Sequence, residues 1–231
     1  GYIVVAMDHS YDAALTMLDE DKIIYSRSKL PSNGEEALQD SMIQRVKNQL
    51  KIRTEDVSFV IDELKIMFEK DKLFSQIADF DNIGIFGHSF GGCTSIMSAY
   101  NDARIDAVLG LDAYFLPLPK EIIKKDMERP FVHLGQVSWG DSDNYKVMSE
   151  LGKSSNREFY HFAIEGSKHN DYTDFSQFTK LTRKFGSGKI SSKSIRYIMN
   201  DVMLGFFDYH LKNRSIFDHN QYQKKYESVK T

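Results

Sequence analysis

Short apolar runs separated by polar turns set the rhythm of the chain. Tyr2-Ile3-Val4-Val5-Ala6-Met7, Ile83-Gly84-Ile85-Phe86, Ala107-Val108-Leu109-Gly110-Leu111, Phe131-Val132-His133-Leu134 and Phe159-Tyr160-His161-Phe162-Ala163-Ile164 are near-continuous rather than alternating. That pattern predicts strands buried on both faces. Between them the period changes. Leu38, Met42, Val46 and Leu50 recur every four residues, and Val57, Val60, Ile61, Leu64 and Phe68 carry on at three-four spacing, which predicts one long or two consecutive amphipathic helices over 36–70. Thr54, followed by Glu55 and Asp56, reads as an internal N-cap between them. Residues 94–100 read as a helix, and Ile195, Ile198, Met199, Val202, Met203, Phe206, Phe207 and Leu211 trace a wide apolar stripe on a last one. Turns are expected at Asp8 to Ala13, at Leu30 to Gly34 and in the basic loop Lys180 to Lys193 with its Gly186-Ser187-Gly188. Alternating strands and helices predict an α/β fold, a mostly parallel sheet with helices on both faces, and no linker divides residues 1–231 into two domains.

The first run stands apart. A doubly buried strand at the very start of the sequence would leave an apolar sheet edge open, so the expectation is an N-terminally incomplete chain, or else an edge strand covered by a partner subunit.

Composition narrows the function classes. With 41% hydrophobic and 27% charged residues the chain has enough apolar side chains for a sizeable core, and whole-chain disorder is excluded. Thirty Lys and Arg against 33 Asp and Glu give a net charge of -3, so no global basic field exists to hold nucleic acid. The longest apolar run is the six residues from Tyr2 to Met7, far short of the roughly 18–20 of a transmembrane helix. A single cysteine, Cys93, makes no intrachain disulfide and no cysteine-based zinc site. No cofactor or metal is expected.

Candidate chemistry sits at Gly87-His88-Ser89-Phe90-Gly91, a G-x-S-x-G pattern between an apolar strand and a helix. A sharp strand-to-helix turn would expose the Ser89 hydroxyl, with glycine at both flanking positions letting neighbouring backbone pass. It would also place the helix N-terminus, with Phe90 N–H foremost, where an oxyanion forms on acyl attack. Serine needs a base and an orienting acid, which in this arrangement follow it in the order acid, base. Among the seven histidines, His133 and His161 lie inside strands, His88 faces away within the elbow, His210 is in the last helix and His9 precedes the serine. His169, in the polar loop after the last strand, is the candidate base. For the acid, Asp112 ends the strand at Leu111, while Asp141 or Asp143 follows the strand at Leu134. Burial cost favours Asp112, which without a partner would be a stranded charge between apolar segments.

At these residues the chain resembles the platelet-activating factor acetylhydrolases of the plasma and type II intracellular kind, a family of α/β-hydrolases. The resemblance rests on Gly87-His88-Ser89-Phe90-Gly91-Gly92, on Leu111-Asp112-Ala113 followed by an aromatic and Phe115-Leu116-Pro117-Leu118, and on Gly166-Ser167-Lys168-His169 followed by Asp174-Phe175. It implies Ser89 as nucleophile, Asp112 as acid and His169 as base. It further implies hydrolysis, without calcium, of the sn-2 ester of phospholipids with short or oxidised acyl chains, or broader short-chain esterase activity. Tyr2 to Asp12 is similar to the strand and turn that follow the family's first oxyanion-hole segment, and that H-G-x-G segment is absent from these 231 residues.

Tyr114, Phe115, Leu116, Leu118, Phe175 and Phe178 are candidates for an acyl pocket or for ordinary core. Lys120, Lys124, Lys125, Lys180, Arg183 and Lys184 would allow peripheral contact with an anionic lipid surface, or form a solvated face. The leading expectation is a serine esterase acting on a small ester or phospholipid, with a peptidase, a thioesterase or a non-catalytic binding module as alternatives. Oligomeric state and compartment are left open.

Overall fold

A computed structural model of the chain describes residues 1–19, 21–27, 40–214 and 216–231, so the turn expected at Leu30 to Gly34 lies outside the described residues. The contacts divide the chain into two compact units, residues 1–78 and 79–231.

The first unit holds an antiparallel hairpin, β1 (Leu15–Asp19) and β2 (Lys22–Tyr25), followed by helices α1 (Asp40–Lys70) and α2 (Phe74–Ile77). The hairpin was not expected from the pattern. α1 is one continuous helix rather than two, and its buried positions Val46, Leu50, Val57, Ile61 and Phe68 keep the three-four spacing. Thr54 is not a cap. Its hydroxyl donates to the Leu50 carbonyl at 2.7 Å, one turn back, which absorbs the side chain without breaking the helix. Phe68 stacks on Phe74 with ring centroids 4.3 Å apart. The expected buried strand Tyr2 to Met7 is not formed: these residues join neither sheet, and Val4 is 70% exposed. An apolar run becomes a strand only where a neighbour pairs with its backbone, and β1 and β2 pair with each other. The turn that follows is tied to α1 instead, by His9 Nδ1 to Asp56 Oδ2 at 2.8 Å and by Gln49 and Arg53 donating to Asp12.

The second unit is built on β3 (Ile83–His88), β4 (Ile105–Leu111), β5 (Phe131–Gln136), β6 (Phe159–Ile164) and β7 (Val229–Lys230), lying side by side in that order. The first four are parallel and β7 closes the far edge antiparallel to β6. Helix α3 (Phe90–Asn101) follows β3, α4 (Lys120–Ile123) follows β4, α5 (Asp143–Ser154) links β5 to β6, and α6 (Phe175–Phe178), α7 (Ser192–Lys212) and α8 (His219–Lys225) follow β6.

Both faces of β4 and β5 are covered, as their continuous apolar runs require, but at β3 no residue is fully buried and Phe86 is 45% exposed, so the two-faced burial expected of Ile83 to Phe86 is not met. Ala107, Leu109, Leu111, Val132, Leu134, Phe162 and Ile164 form one core with Ile195, Val202, Phe206 and Leu211 of α7. The alternate residues turn the other way: Phe131, His133 and His161 meet Phe115 and Tyr145 of the α5 side. The basic stretch begins as a 3-10 turn, Lys180–Phe185, in which Thr182 is buried, so it is not open loop throughout. No helix among the described residues is long and apolar enough to cross a membrane.

The parallel register decides where the chemistry sits. His88 pairs with Leu111, Leu111 with Leu134, and Gln136 with Ile164, so the segments leaving β3, β4, β5 and β6 emerge at one edge of the sheet.

Candidate active site

Ser89 occupies the turn between β3 and α3 with φ 56 and ψ -119, a left-handed backbone that a non-glycine residue adopts only when its surroundings force it. Three backbone hydrogen bonds force it: Ser89 N–H donates to Leu111 O at 3.0 Å, while Gly92 N–H and Tyr114 N–H donate to Ser89 O at 3.0 and 2.9 Å. A Cβ at Gly87 would collide with the Gly91 backbone, and one at Gly92 would lie 2.5 Å from the Ala113 Cβ. Gly91 differs from expectation, since a Cβ there meets nothing within 4 Å. The close approach therefore runs between Gly87, Gly92 and the β4 turn. Phe90 is the first residue of α3, which sets its N–H at the positive end of that helix.

Ser89, His169 and Asp112 meet. His169 Nδ1 lies 2.6 Å from Asp112 Oδ2 and His169 Nε2 lies 2.9 Å from Ser89 Oγ. A carboxylate only accepts, so Nδ1–H donates to Asp112, and in that neutral tautomer the bare Nε2 accepts the serine hydroxyl proton. Asp112 is fully buried, whereas the His169 side chain is 32% exposed.

Asp112 has its own strained backbone, φ 41, held by its N–H to Leu134 O at 2.7 Å. Besides His169 it accepts from Gln136 Nε2 at 2.6 Å and Tyr145 Oη at 2.8 Å. Burial by itself would push its carboxyl up. The hydrogen bond from His169, the nearby His133 and the Tyr145 hydroxyl outweigh burial and hold it below the ordinary value. Tyr145 is raised by the same burial and by the adjacent carboxylate, so it stays a neutral donor. Asp143, the other acid considered from sequence, is exposed at the start of α5 and pairs with Lys146 at 2.7 Å, and Asp141 is exposed.

Several neighbours of the site were not foreseen. His88 does not face away: its Nε2–H donates to the His169 carbonyl at 3.0 Å and its ring lies 4.4 Å from the His169 ring. Burial, reinforced by the proximity of His169, lowers its pKa to about 4. Trp139, in the 3-10 turn Val137–Trp139 after β5, stacks on His169 with centroids 5.3 Å apart and planes 20° apart. His133 accepts from Ala113 N–H through Nε2 at 3.1 Å, which leaves its Nδ1–H to donate to His161 Nδ1 at 3.0 Å. Asp171 fixes the base loop by accepting from Lys168 N–H at 2.9 Å and Gly188 N–H at 2.6 Å. The sequence did carry one signal for the Tyr145 region: Tyr145, Met148 and Leu151 recur every three residues behind the N-cap Ser142 and are the buried face of α5.

Of the acyl-pocket candidates, Phe115 and Leu118 are core, Tyr114 and Phe175 are half-buried, and Leu116 and Phe178 are exposed, the last at 77%.

The fold is similar to known hydrolases. A ferulic acid esterase from Streptomyces cinnamoneus superposes with a TM-score of 0.70 at 20% identity, covering 91% of this chain and 59% of that one. With the mostly parallel sheet this identifies the fold as α/β-hydrolase. In sequence the chain is 29% identical over 166 residues to a platelet-activating factor acetylhydrolase of Canis lupus familiaris, covering 71% of this chain and 35% of that protein. It is 23% identical over 244 residues to the protein of the same name from Gallus gallus, covering 94% and 57% respectively. The chain thus spans between about a third and just over half of these relatives' length. The pattern shared by the family described as platelet-activating factor acetylhydrolase, isoform II, matches residues 1–231 throughout, and the chain belongs to that family.

Proposed function

We propose that this chain carries the catalytic centre of a serine esterase that cleaves short acyl esters, the sn-2 ester of phospholipids among them, through an acyl-enzyme. The observation that carries the proposal is the unbroken line of hydrogen bonds from Ser89 Oγ through His169 to the buried Asp112. In this reading Ser89 Oγ attacks the ester carbonyl as its proton passes to His169 Nε2. The tetrahedral oxyanion faces Phe90 N–H and the α3 N-terminus. Collapse breaks the acyl–oxygen bond, and the alcohol leaves with the proton held on Nε2. Water, losing a proton to the same nitrogen, then releases the carboxylic acid and restores Ser89. Asp112 keeps the ring in the tautomer this requires and stabilises the imidazolium between the two transfers. Family membership supports esters over other acyl donors.

The test is labelling by a fluorophosphonate probe together with hydrolysis of p-nitrophenyl acetate and of a short-chain sn-2 phospholipid. Ser89→Ala should abolish labelling and lower kcat at least about 10³-fold. Equal turnover by the variant would end the proposal.

A further inference from the structure

We propose that Trp139 is a positioning residue for the base, holding the His169 imidazole face-on so that Nε2 stays aimed at Ser89 through both proton transfers. This rests on the reading of Ser89 and His169 as nucleophile and base. The two hydrogen bonds of His169 act in the plane of its ring and leave tilting out of that plane unopposed. What resists tilting must lie against the faces of the ring. The indole does so at 5.3 Å and 20°, within the range of offset-stacked aromatic pairs.

Trp139 is itself fixed. Ser142 donates to its carbonyl from both N–H, at 2.9 Å, and Oγ, at 2.6 Å, and Tyr145 meets the indole edge-on at 6.2 Å. Tyr145 also donates to Asp112. The contacts therefore close a circuit, Trp139 to His169 to Asp112 to Tyr145 and back, made of side chains from three separate segments. Stacking has a second effect. The electron-rich indole face favours a cation lying over it, and the imidazolium formed after serine attack is such a cation. His88, the other ring beside the base, is kept neutral by burial and adds no opposing charge.

The experiment compares Trp139→Phe, Trp139→Leu and Trp139→Ala in the whole chain, measuring kcat and KM for p-nitrophenyl acetate, the rate of fluorophosphonate labelling and the thermal midpoint. Phenylalanine keeps an aromatic face and should stay within about threefold of the parent. Leucine keeps bulk alone, so it should fall with alanine, about 5- to 30-fold down in kcat and in labelling rate with KM within twofold. Leucine matching phenylalanine would overturn the inference, and so would a raised KM at unchanged kcat. Because Trp139 is the chain's single tryptophan, its emission reads the contact directly. His169→Ala should change its intensity, and an unchanged spectrum means that no stack exists in solution, which also overturns the inference. The arms separate the two readings. A parent that is never labelled brings down both, whereas a labelled parent with a flat Trp139 series brings down the positioning role alone.

Discussion

Histidines kept neutral by burial surround the one carboxylate that must stay charged. Burial lowers His88 and His161 to about 4, and His133 well below the ordinary 6.5. In the unfolded chain these rings regain their ordinary affinity for protons, so below about pH 6.5 unfolding takes up protons that the folded state refuses. The stability they contribute is fully present above that pH and is lost as pH falls towards 4. Each such ring adds a slope of about 1.4 kcal/mol per pH unit. Thermal midpoints should therefore drop steeply between pH 6.5 and 4.5, ahead of ordinary carboxylate titration. His88→Gln, which keeps a donor for the His169 carbonyl but cannot titrate, should make that slope shallower by about one proton, and an unaltered slope would contradict this account. None of it was legible in the sequence, where His88 read only as an elbow residue facing away from the site. What makes it neutral is burial, reinforced by the ring of His169, 81 residues away in sequence.

Among the elements, the elbow was the most legible, because its chemistry is written in adjacent residues: an apolar strand, a serine between glycines, and a helix. Its glycines nonetheless have different duties. A side chain at Gly87 meets the backbone of Gly91, which cannot yield, whereas one at Gly91 meets open space. Gly87→Ala should cost several kcal/mol or prevent folding, while Gly91→Ala, at a helical position, should leave the thermal midpoint unchanged or raise it. Circular dichroism melts of the two variants decide this, and equal losses would show that the turn needs both. Strands β4 and β5 were legible for a similar local reason, since burial on both faces demands continuous apolar runs, whereas β3 has the same kind of run with no residue buried. The same reasoning failed at Tyr2 to Met7, which has the composition of a buried strand and forms none. β1, β2 and α5 went unseen because the two strands are only five and four residues long and α5 buries a narrow row of residues, Tyr145, Met148 and Leu151.

At the scale of the whole chain, helix α7 holds the second unit's sheet from one side, and Phe206, fully buried, touches the rings of Phe207, His210 and Phe217 within the core it shares with β4, β5 and β6. Phe206→Ala should cost about 3–5 kcal/mol and lower the thermal midpoint by roughly 10 °C, measured by differential scanning calorimetry. A shift of only a degree or two would mean that α7 packs less tightly than this core requires. The site itself depends on the sheet, because His169 reaches Ser89 across 80 residues of sequence and Asp112 across 57. The sequence alone located the strands β3 to β6, the elbow, and the nucleophile, base and acid candidates, since each is a matter of neighbouring residues. Tertiary structure alone decided that Asp112 meets His169, and that Tyr145, Gln136, His88 and Trp139 surround them. The physical reason is that a parallel sheet brings distant strand ends to one edge through its register, and local patterns of polarity carry no record of which ends those will be.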